Sequence, residues 1–417
     1  MADSKDIIII GGGIIGLACA HYLAEKGARV RIIERQKVGS GASHGNCGLL
    51  YFSDVIPLCA PGAVAHEIIR TLCRTSPLFI KPEIDIDRLL WLVRFAMKCT
   101  PSHMQRAAAD KYDILEYSAG LFSSLLDPGL LQCDFHKKGI LSVFRDRKNF
   151  EDFHQTNAFL KAFNLGYRPL EKREVLNLEP ALKPDIAGAW YSECDQHLRP
   201  EHLVAAWKNR LLSKGVTIDE FCDVVDLTVA GKTVTQVRTS RGDYDAHAVV
   251  LATGAWSAPI AERLGFDLPV QPGKGYSITM GRPNVCPEIP CMLYERNMVV
   301  TPWHSGYRLG GTMEFSGFSS SLNRKRLNKL IEGAGEYMRS PVGEPVIEEW
   351  TSLRPMTWDD MPVIDRSPCH ENLVVATGHG MLGLTLATGT GKLVADMIFG
   401  EQTEIDASPY SLKRLLR

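Results

Sequence analysis

The chain has almost no net charge: Lys and Arg total 47 against 48 Asp and Glu in 417 residues. Without a global field, nucleic-acid binding would need a local basic patch with interleaved aromatics, and none is visible. The 11 cysteines include no Cys-x-x-Cys pair. Cys286 and Cys291 come closest and lack zinc-ribbon spacing, so no metal is expected. Only Asp3, Ser4, Lys5 and Asp6 separate Met1-Ala2 from the first apolar run. With the odd cysteine count, this gives the expectation of free thiols in a reducing, cytoplasmic compartment. No uninterrupted apolar run reaches the length of a membrane span. The nearest, Leu89 through Met97, is broken by Arg94 and flanked by Arg88 and Lys98. That pattern is an amphipathic helix, packed on its own domain or, alternatively, docked on the inner face of a membrane. Repeats and low-complexity segments are also missing.

What is present is a chain long enough for two domains, of ordinary globular composition. It opens with Ile7-Ile8-Ile9-Ile10, a β-branched run suited to a strand buried on both faces. Gly11-Gly12-Gly13-Ile14-Ile15-Gly16 follows, then a helical stretch, Leu17 to Lys26, stopped by Gly27. Arg29 to Glu34 forms the next strand and completes a βαβ unit. Long helical patterns dominate residues 60–190, clearest at Tyr112 to Leu126 and Asn149 to Phe163. A strand-rich block, Val216 to Val250, runs into Leu251-Ala252-Thr253-Gly254-Ala255-Trp256. Alternation from Pro269 to Met313 predicts antiparallel strands. The chain returns to a buried strand at Leu373-Val374-Val375-Ala376, a glycine loop, and a helix from Leu384 to Phe399.

Gly11-x-Gly13-x-x-Gly16 stands where a dinucleotide fingerprint must stand, after a strand and opening a helix. Gly11 permits the turn, Gly13 lets backbone N–H groups approach a pyrophosphate beside Ile14 and Ile15, and Gly16 allows close helix–strand packing. The helix N-terminus favours phosphate. Glu34 ends the second strand, placed to accept hydrogen bonds from ribose hydroxyls, and Arg35 follows it. The small-residue loop Gly39 to Gly48 comes next. With Ala42, Ser43, Asn46, Gly48 and Leu49 it can wrap an extended FAD, and a nicotinamide enzyme has no need of it.

These motifs resemble the D-amino-acid oxidase superfamily, and within it the bacterial D-amino-acid dehydrogenases and glycine oxidases. The likeness spans nearly the whole chain. It runs through Ala42-Ser43-x-x-Asn46-x-Gly48, Ala60-Pro61-Gly62, Ser76-Pro77-Leu78, Ala252 to Ser257, Lys274-Gly275-Tyr276-Ser277, Arg308 to Thr312, Leu353-Arg354-Pro355-Met356-Thr357 and Gly378-His379-Gly380. The resemblance implies an α/β plus α+β protein. A Rossmann-like FAD-binding domain would be assembled from residues 1–85, 195–258 and 355–417. A substrate domain with an antiparallel sheet would comprise residues 86–194 and 259–354. FAD would be held by the residues named above with Val224, Thr253, Gly254, Trp256, Gly380, Met381, Leu382, Gly383 and Leu384. The loop from Gly378 would lie at the flavin pyrimidine, its helix N-terminus stabilising charge at N1 and O2. Related oxidases attach flavin to a cysteine in the region of Ser352-Leu353-Arg354. None is present here, which implies non-covalent FAD.

The resemblance implies that Arg354, the arginine of the Arg-Pro pair, anchors the substrate carboxylate, a role a guanidinium suits because it binds a carboxylate bidentately. Arg308 is its competitor. Tyr276 either shares the carboxylate through its hydroxyl or only walls the pocket. His44, His379 and His197 could titrate near neutral pH, although loop histidines are more often structural. The expected reaction is hydride transfer from the α-carbon of a small amino acid, a D-amino acid or proline derivative, to flavin N5. Electrons would leave to a quinone or another carrier. The alternatives are a sarcosine- or glycine-type oxidase using oxygen, and a flavin-bound subunit without turnover.

Overall fold

The computed structural model describes residues 5–64 and 78–416, so Ser76 and Pro77 lie outside the described residues. Two sheets organise it. In a six-stranded sheet the order is Val363–Arg366, Leu373–Thr377, Ala248–Leu251, Asp6–Ile10, Arg29–Ile33 and Thr217–Asp219. All pairs are parallel except the edge pair Val363–Arg366 with Leu373–Thr377. Because successive side chains point to opposite faces, Ile7 and Ile9 enter one core and Ile8 and Ile10 the other. This double burial is why the strand is continuously apolar.

Helix Ile14–Glu25 has buried residues on every side and packs against helix Ala387–Phe399. A Cβ at Gly391 would stand 2.6 Å from the Ala18 carbonyl, so the two backbones touch. Helix Pro101–Leu126 lies on the same layer: Thr388 Oγ1 donates to Ser118 O, and Gly389 N–H donates to Ser118 Oγ. It begins 11 residues before the helix expected from Tyr112, with Pro101 in its first turn and Thr100 Oγ1 accepting from His103 N–H. The C-terminal helix starts at Ala387 rather than Leu384, because residues 378–386 form turns, among them Leu382 N–H to His379 O.

The strand-rich middle block divides. Val224–Ala230, Thr233–Thr239 and Gly242–Asp245 form a separate three-stranded antiparallel sheet, while its outer strands join the parallel one. The second large sheet runs Val346–Met356, Gln271–Met280, Gly306–Phe315, Met298–Trp303, Cys291–Leu293, Ile140–Phe144, Gly188–Ser192 and Arg168–Glu171, with Leu78–Ile80 added beside Gly306–Phe315. It is antiparallel apart from two parallel pairings, Cys291–Leu293 with Ile140–Phe144 and Leu78–Ile80 with Gly306–Phe315. Helix Arg324–Tyr337 covers one face through Leu327, Leu330 and Ala334, which pack with Tyr276, Ile278 and Leu309. The other face meets the glycine-rich segment at residues 44–48.

A candidate FAD and substrate cavity

Between the C-terminal ends of the parallel strands and the second sheet lies a cavity of about 1200 Å³. One end is the βαβ turn. Gly11 has φ +107°, and a Cβ there would strike Ala252 O at 2.5 Å, so only glycine makes this turn. At Gly16 a Cβ would fall 2.0 Å from Gly11 O, which is how helix and strand approach so closely. The helix N-terminus carries no acidic side chain and no side-chain cap from Gly13; Ser43 Oγ accepts from Ile14 N–H at 2.8 Å. First-turn N–H groups beyond that have no intrahelical acceptor and suit a phosphate. Glu34 is fixed by Gly12 N–H at 2.8 Å and Gln36 N–H at 2.9 Å. A carboxylate has about four acceptor sites, so acceptor capacity is left for ribose hydroxyls. The Arg35 guanidinium lies 4.0 Å from the Trp256 ring centre.

Gly11, Gly13, Ile14, Ile15, Glu34, Arg35, Ala42, Ser43, Asn46, Gly48, Leu49, Val224, Thr253, Gly254, Trp256, Gly380, Met381, Leu382, Gly383 and Leu384 all line this one cavity. Gly16 acts behind it, through packing. Asn46 Oδ1 accepts from Gly48 N–H, and its amide donates to Ser43 O, which sets the loop's curvature. Such a donor set and cradle fit an extended dinucleotide.

At the far end stands Arg354. Its neighbour across the sheet is Gly273, and its guanidinium occupies the space a Cβ at Gly275 would need, at 2.3–2.4 Å. Nη1 donates to Thr312 O at 3.0 Å. Among the described residues no carboxylate pairs with it, and burial holds its pKa below the usual arginine value. A desolvated cation without a counter-ion is costly unless a ligand supplies the anion. Thr312 itself has φ +63° and an Oγ1 with no hydrogen-bond partner. It sits in a β-bulge, where Thr312 and Met313 face Gly275 alone between the pairs Lys274–Glu314 and Tyr276–Gly311. A β-branched residue in left-handed backbone is strained, and the bulge turns its carbonyl to Arg354.

The matching family profile, described as FAD dependent oxidoreductase (DAO), covers residues 6–397. The chain belongs to this family of FAD-dependent oxidoreductases. Among its relatives, a D-amino acid dehydrogenase of Neisseria meningitidis serogroup C / serotype 2a is 32% identical, the alignment covering 98% of this chain and 99% of the relative. Another D-amino acid dehydrogenase, of Allorhizobium ampelinum, is 31% identical, with 98% of each chain covered. The fold is similar to that of glycine oxidase from Geobacillus kaustophilus, with TM-score 0.78 and 24% identity over 99% of both chains. It is also similar to L-proline dehydrogenase from P. horikoshii, with TM-score 0.75 and 17% identity over 100% of this chain and 99% of that one.

Within this FAD-dependent oxidoreductase, the remaining candidate residues differ in what they face. Tyr276 contributes to the cavity wall, but its phenol packs on the opposite face of the sheet from Arg354. There its hydroxyl donates to Glu314 Oε2 at 3.0 Å. Strand alternation decides this, since Gly275 and Ser277 face the flavin loop and Tyr276 between them cannot. Its hydroxyl therefore does not share a carboxylate with Arg354. Arg308, the competitor, is fully committed: to Glu201 at 3.0 Å, Asn46 O at 2.7 Å and Thr279 Oγ1 at 2.9 Å. It holds the loop in place. His44 pairs with Glu348 at 3.0 Å, outside the cavity. His197 is buried against His136, with burial pushing its pKa down to about 3. His379 does line the cavity; its Nε2 meets Thr390 Oγ1 at 2.9 Å, and burial likewise holds it near 3, hence neutral.

Other wall residues were not expected at the site: Thr312, whose strain needs coordinates, and Trp91 and Phe95, from the amphipathic helix. Asp54 lies between two segments that the resemblance singled out.

Proposed function

We propose that the protein removes a hydride from the α-carbon of an amino acid, a D-amino acid or a proline derivative, and passes the electrons to a quinone or similar carrier. The observation that carries this reading is the half-buried guanidinium of Arg354, without a carboxylate partner among the described residues, at the end of a cavity lined mainly by apolar groups. A substrate carboxylate is the anion it lacks. Arg354 would hold that carboxylate bidentately, Thr312 O would fix the guanidinium, and the surrounding apolar wall would exclude water. Bound FAD, non-covalent here, supplies the hydride acceptor at N5. Gly11, Gly13, Gly16 and Glu34 would hold its phosphates and ribose, and the loop from Gly380 to Leu384 its pyrimidine edge. In this reading residues 1–85, 195–258 and 355–417 carry the cofactor, while 86–194 and 259–354 close over it, with helix Pro101–Leu126 packed onto the cofactor-bearing layer.

For the acceptor, the support comes from helix Ile86–Lys98. Trp91, Leu92, Phe95 and Ala96 line the cavity, while Ile86, Leu89, Leu90, Val93 and Met97 face outward, Ile86 and Met97 at 68% and 72% exposure. A helix apolar on both sides, one facing the cavity and one the exterior, suits contact with a bilayer surface that carries a lipid-soluble acceptor. Among the described residues no helix is long and apolar enough to cross a membrane.

The test is anaerobic flavin reduction by D- and L-amino acids, glycine, sarcosine and prolines, followed by reoxidation with a quinone analogue or with oxygen. Bleaching by D-amino acids or prolines and fast reoxidation by quinone is the expected result. Rapid stoichiometric peroxide formation would make the protein an oxidase, and no bleaching at all would overturn the reading.

A further inference from the structure

One carboxylate in the cavity wall has no partner. Asp54 lines the cavity, and among the described residues its side chain makes no hydrogen bond or ion pair; Lys111 attracts it only through space. Its surroundings do not compensate. Lys111, itself buried, pairs with Asp360 at 3.1 Å, so that pair is neutral and Asp54 leaves one uncompensated negative charge. The segment carrying it is pinned: Tyr51 N–H donates to Thr385 Oγ1 at 3.1 Å, and Leu58 N–H to Asp360 Oδ2 at 2.9 Å. Asp54 is thus held on the cavity wall rather than on a free loop. Arg354 and Asp54 do not neutralise each other; Cys47 is the ionisable group whose charge acts on Arg354. The loop from Gly378 adjoins both segments. Gly380 N–H donates to Pro355 O at 2.9 Å, and a Cβ at Gly380 would stand 3.3 Å from Asp360 Oδ1. One cavity wall therefore carries a cation and an anion that, among the described residues, have no ion-pair partner.

Resting on the reading above, we propose that Asp54 forms a distal subsite that selects amino acids whose side chain ends in a cation. Arg354 takes the α-carboxylate and Asp54 the ammonium or guanidinium at the other end, so that one ligand pairs both charges.

The experiment compares lysine with norleucine, which lacks only the terminal ammonium, using the enantiomer that bleaches the flavin. Rate and dissociation constants come from anaerobic stopped-flow on wild type, Asp54→Asn and Asp54→Glu, with FAD content as the folding control. Wild type should favour lysine. Asp54→Asn should lower kcat/KM for lysine on the order of a hundredfold, as for loss of one partner of a desolvated charge pair, and leave norleucine nearly unchanged. Asp54→Glu reaches one methylene further and should shift the optimum to ornithine. Burial raises the Asp54 pKa to about 6, with Lys111 opposing and Asp360 adding to the shift. The lysine preference should therefore fade as pH falls through about 6. Asp195, also raised to about 6, and Tyr51 face the same region; Asp54→Asn separates them by abolishing the preference at every pH. Equal rates for lysine and norleucine, or equal losses in Asp54→Asn, would overturn this inference alone. Failure of every amino acid to reduce the flavin would overturn the parent reading and this one with it.

Discussion

Arg354 and the glycine beneath it make the sharpest residue-scale expectations. Arg354→Ala should lower kcat/KM for amino acids by about 3–5 kcal/mol, roughly two to four decades, with FAD content unchanged. Arg354→Lys keeps the charge but loses the planar fork, so it should remain clearly impaired. Steady-state kinetics with a dye acceptor checks both, and near-normal turnover in Arg354→Ala would place the anchor elsewhere. Arg308 is then a poor substitute, because Glu201 and the Asn46 carbonyl already occupy it. Gly275→Ala asks the same question from the opposite side. Its methyl group would enter the guanidinium at 2.3–2.4 Å and push Arg354 off position. The expected result is a rise in KM and a fall in kcat/KM of at least tenfold, without loss of flavin. Unaltered kinetics would mean that Arg354 is free to move.

At the scale of elements, the βαβ unit depends on one close approach. A Cβ at Gly16 would meet Gly11 O at 2.0 Å, and because the obstacle is backbone there is little room to relax. Gly16→Ala should therefore lift the helix from the turn, costing on the order of 1–3 kcal/mol and loosening FAD. Thermal melting together with a flavin-reconstitution titration measures both effects. A variant that melts and binds like wild type would show the turn to be more plastic than its geometry implies. The bulge at Thr312 is the second element-scale device. It lets two residues face one, and so carries a strained carbonyl to Arg354 that a regular ladder could not deliver.

For the whole molecule, the exposed apolar ridge between residues 84 and 97 is the feature that an isolated globule does not explain. Ile84 is 98% exposed, Leu89 61% and Val93 49%. Replacing Leu89 and Val93 together by Glu should abolish co-flotation with vesicles and slow reduction of vesicle-borne quinone, while turnover with a water-soluble dye stays normal. Neither residue lines the cavity, so a loss of dye-linked activity would point to misfolding instead. Unchanged flotation would detach the acceptor proposal from this helix.

Local pattern was enough for the dinucleotide end. Ile7–Ile10, the glycines at 11, 13 and 16, and Glu34 act through neighbours close in sequence. Their spacing fixes strand, turn and helix before any long-range contact forms. Asn46 and Gly48 were legible for the same reason, because the loop curves through bonds within itself. The Arg354 end of the cavity was legible only in part. Arg354 stood out by residue type and by its place in an Arg-Pro pair. Which face each strand residue takes, however, depends on pairings between segments tens of residues apart. Those pairings turned the Tyr276 hydroxyl to Glu314, committed Arg308 to Glu201 and left Asp54 without a hydrogen bond or ion pair among the described residues. Charge pairing and burial are properties of the assembled sheets, so only the tertiary structure could decide which ionisable groups were already satisfied and which still await a ligand.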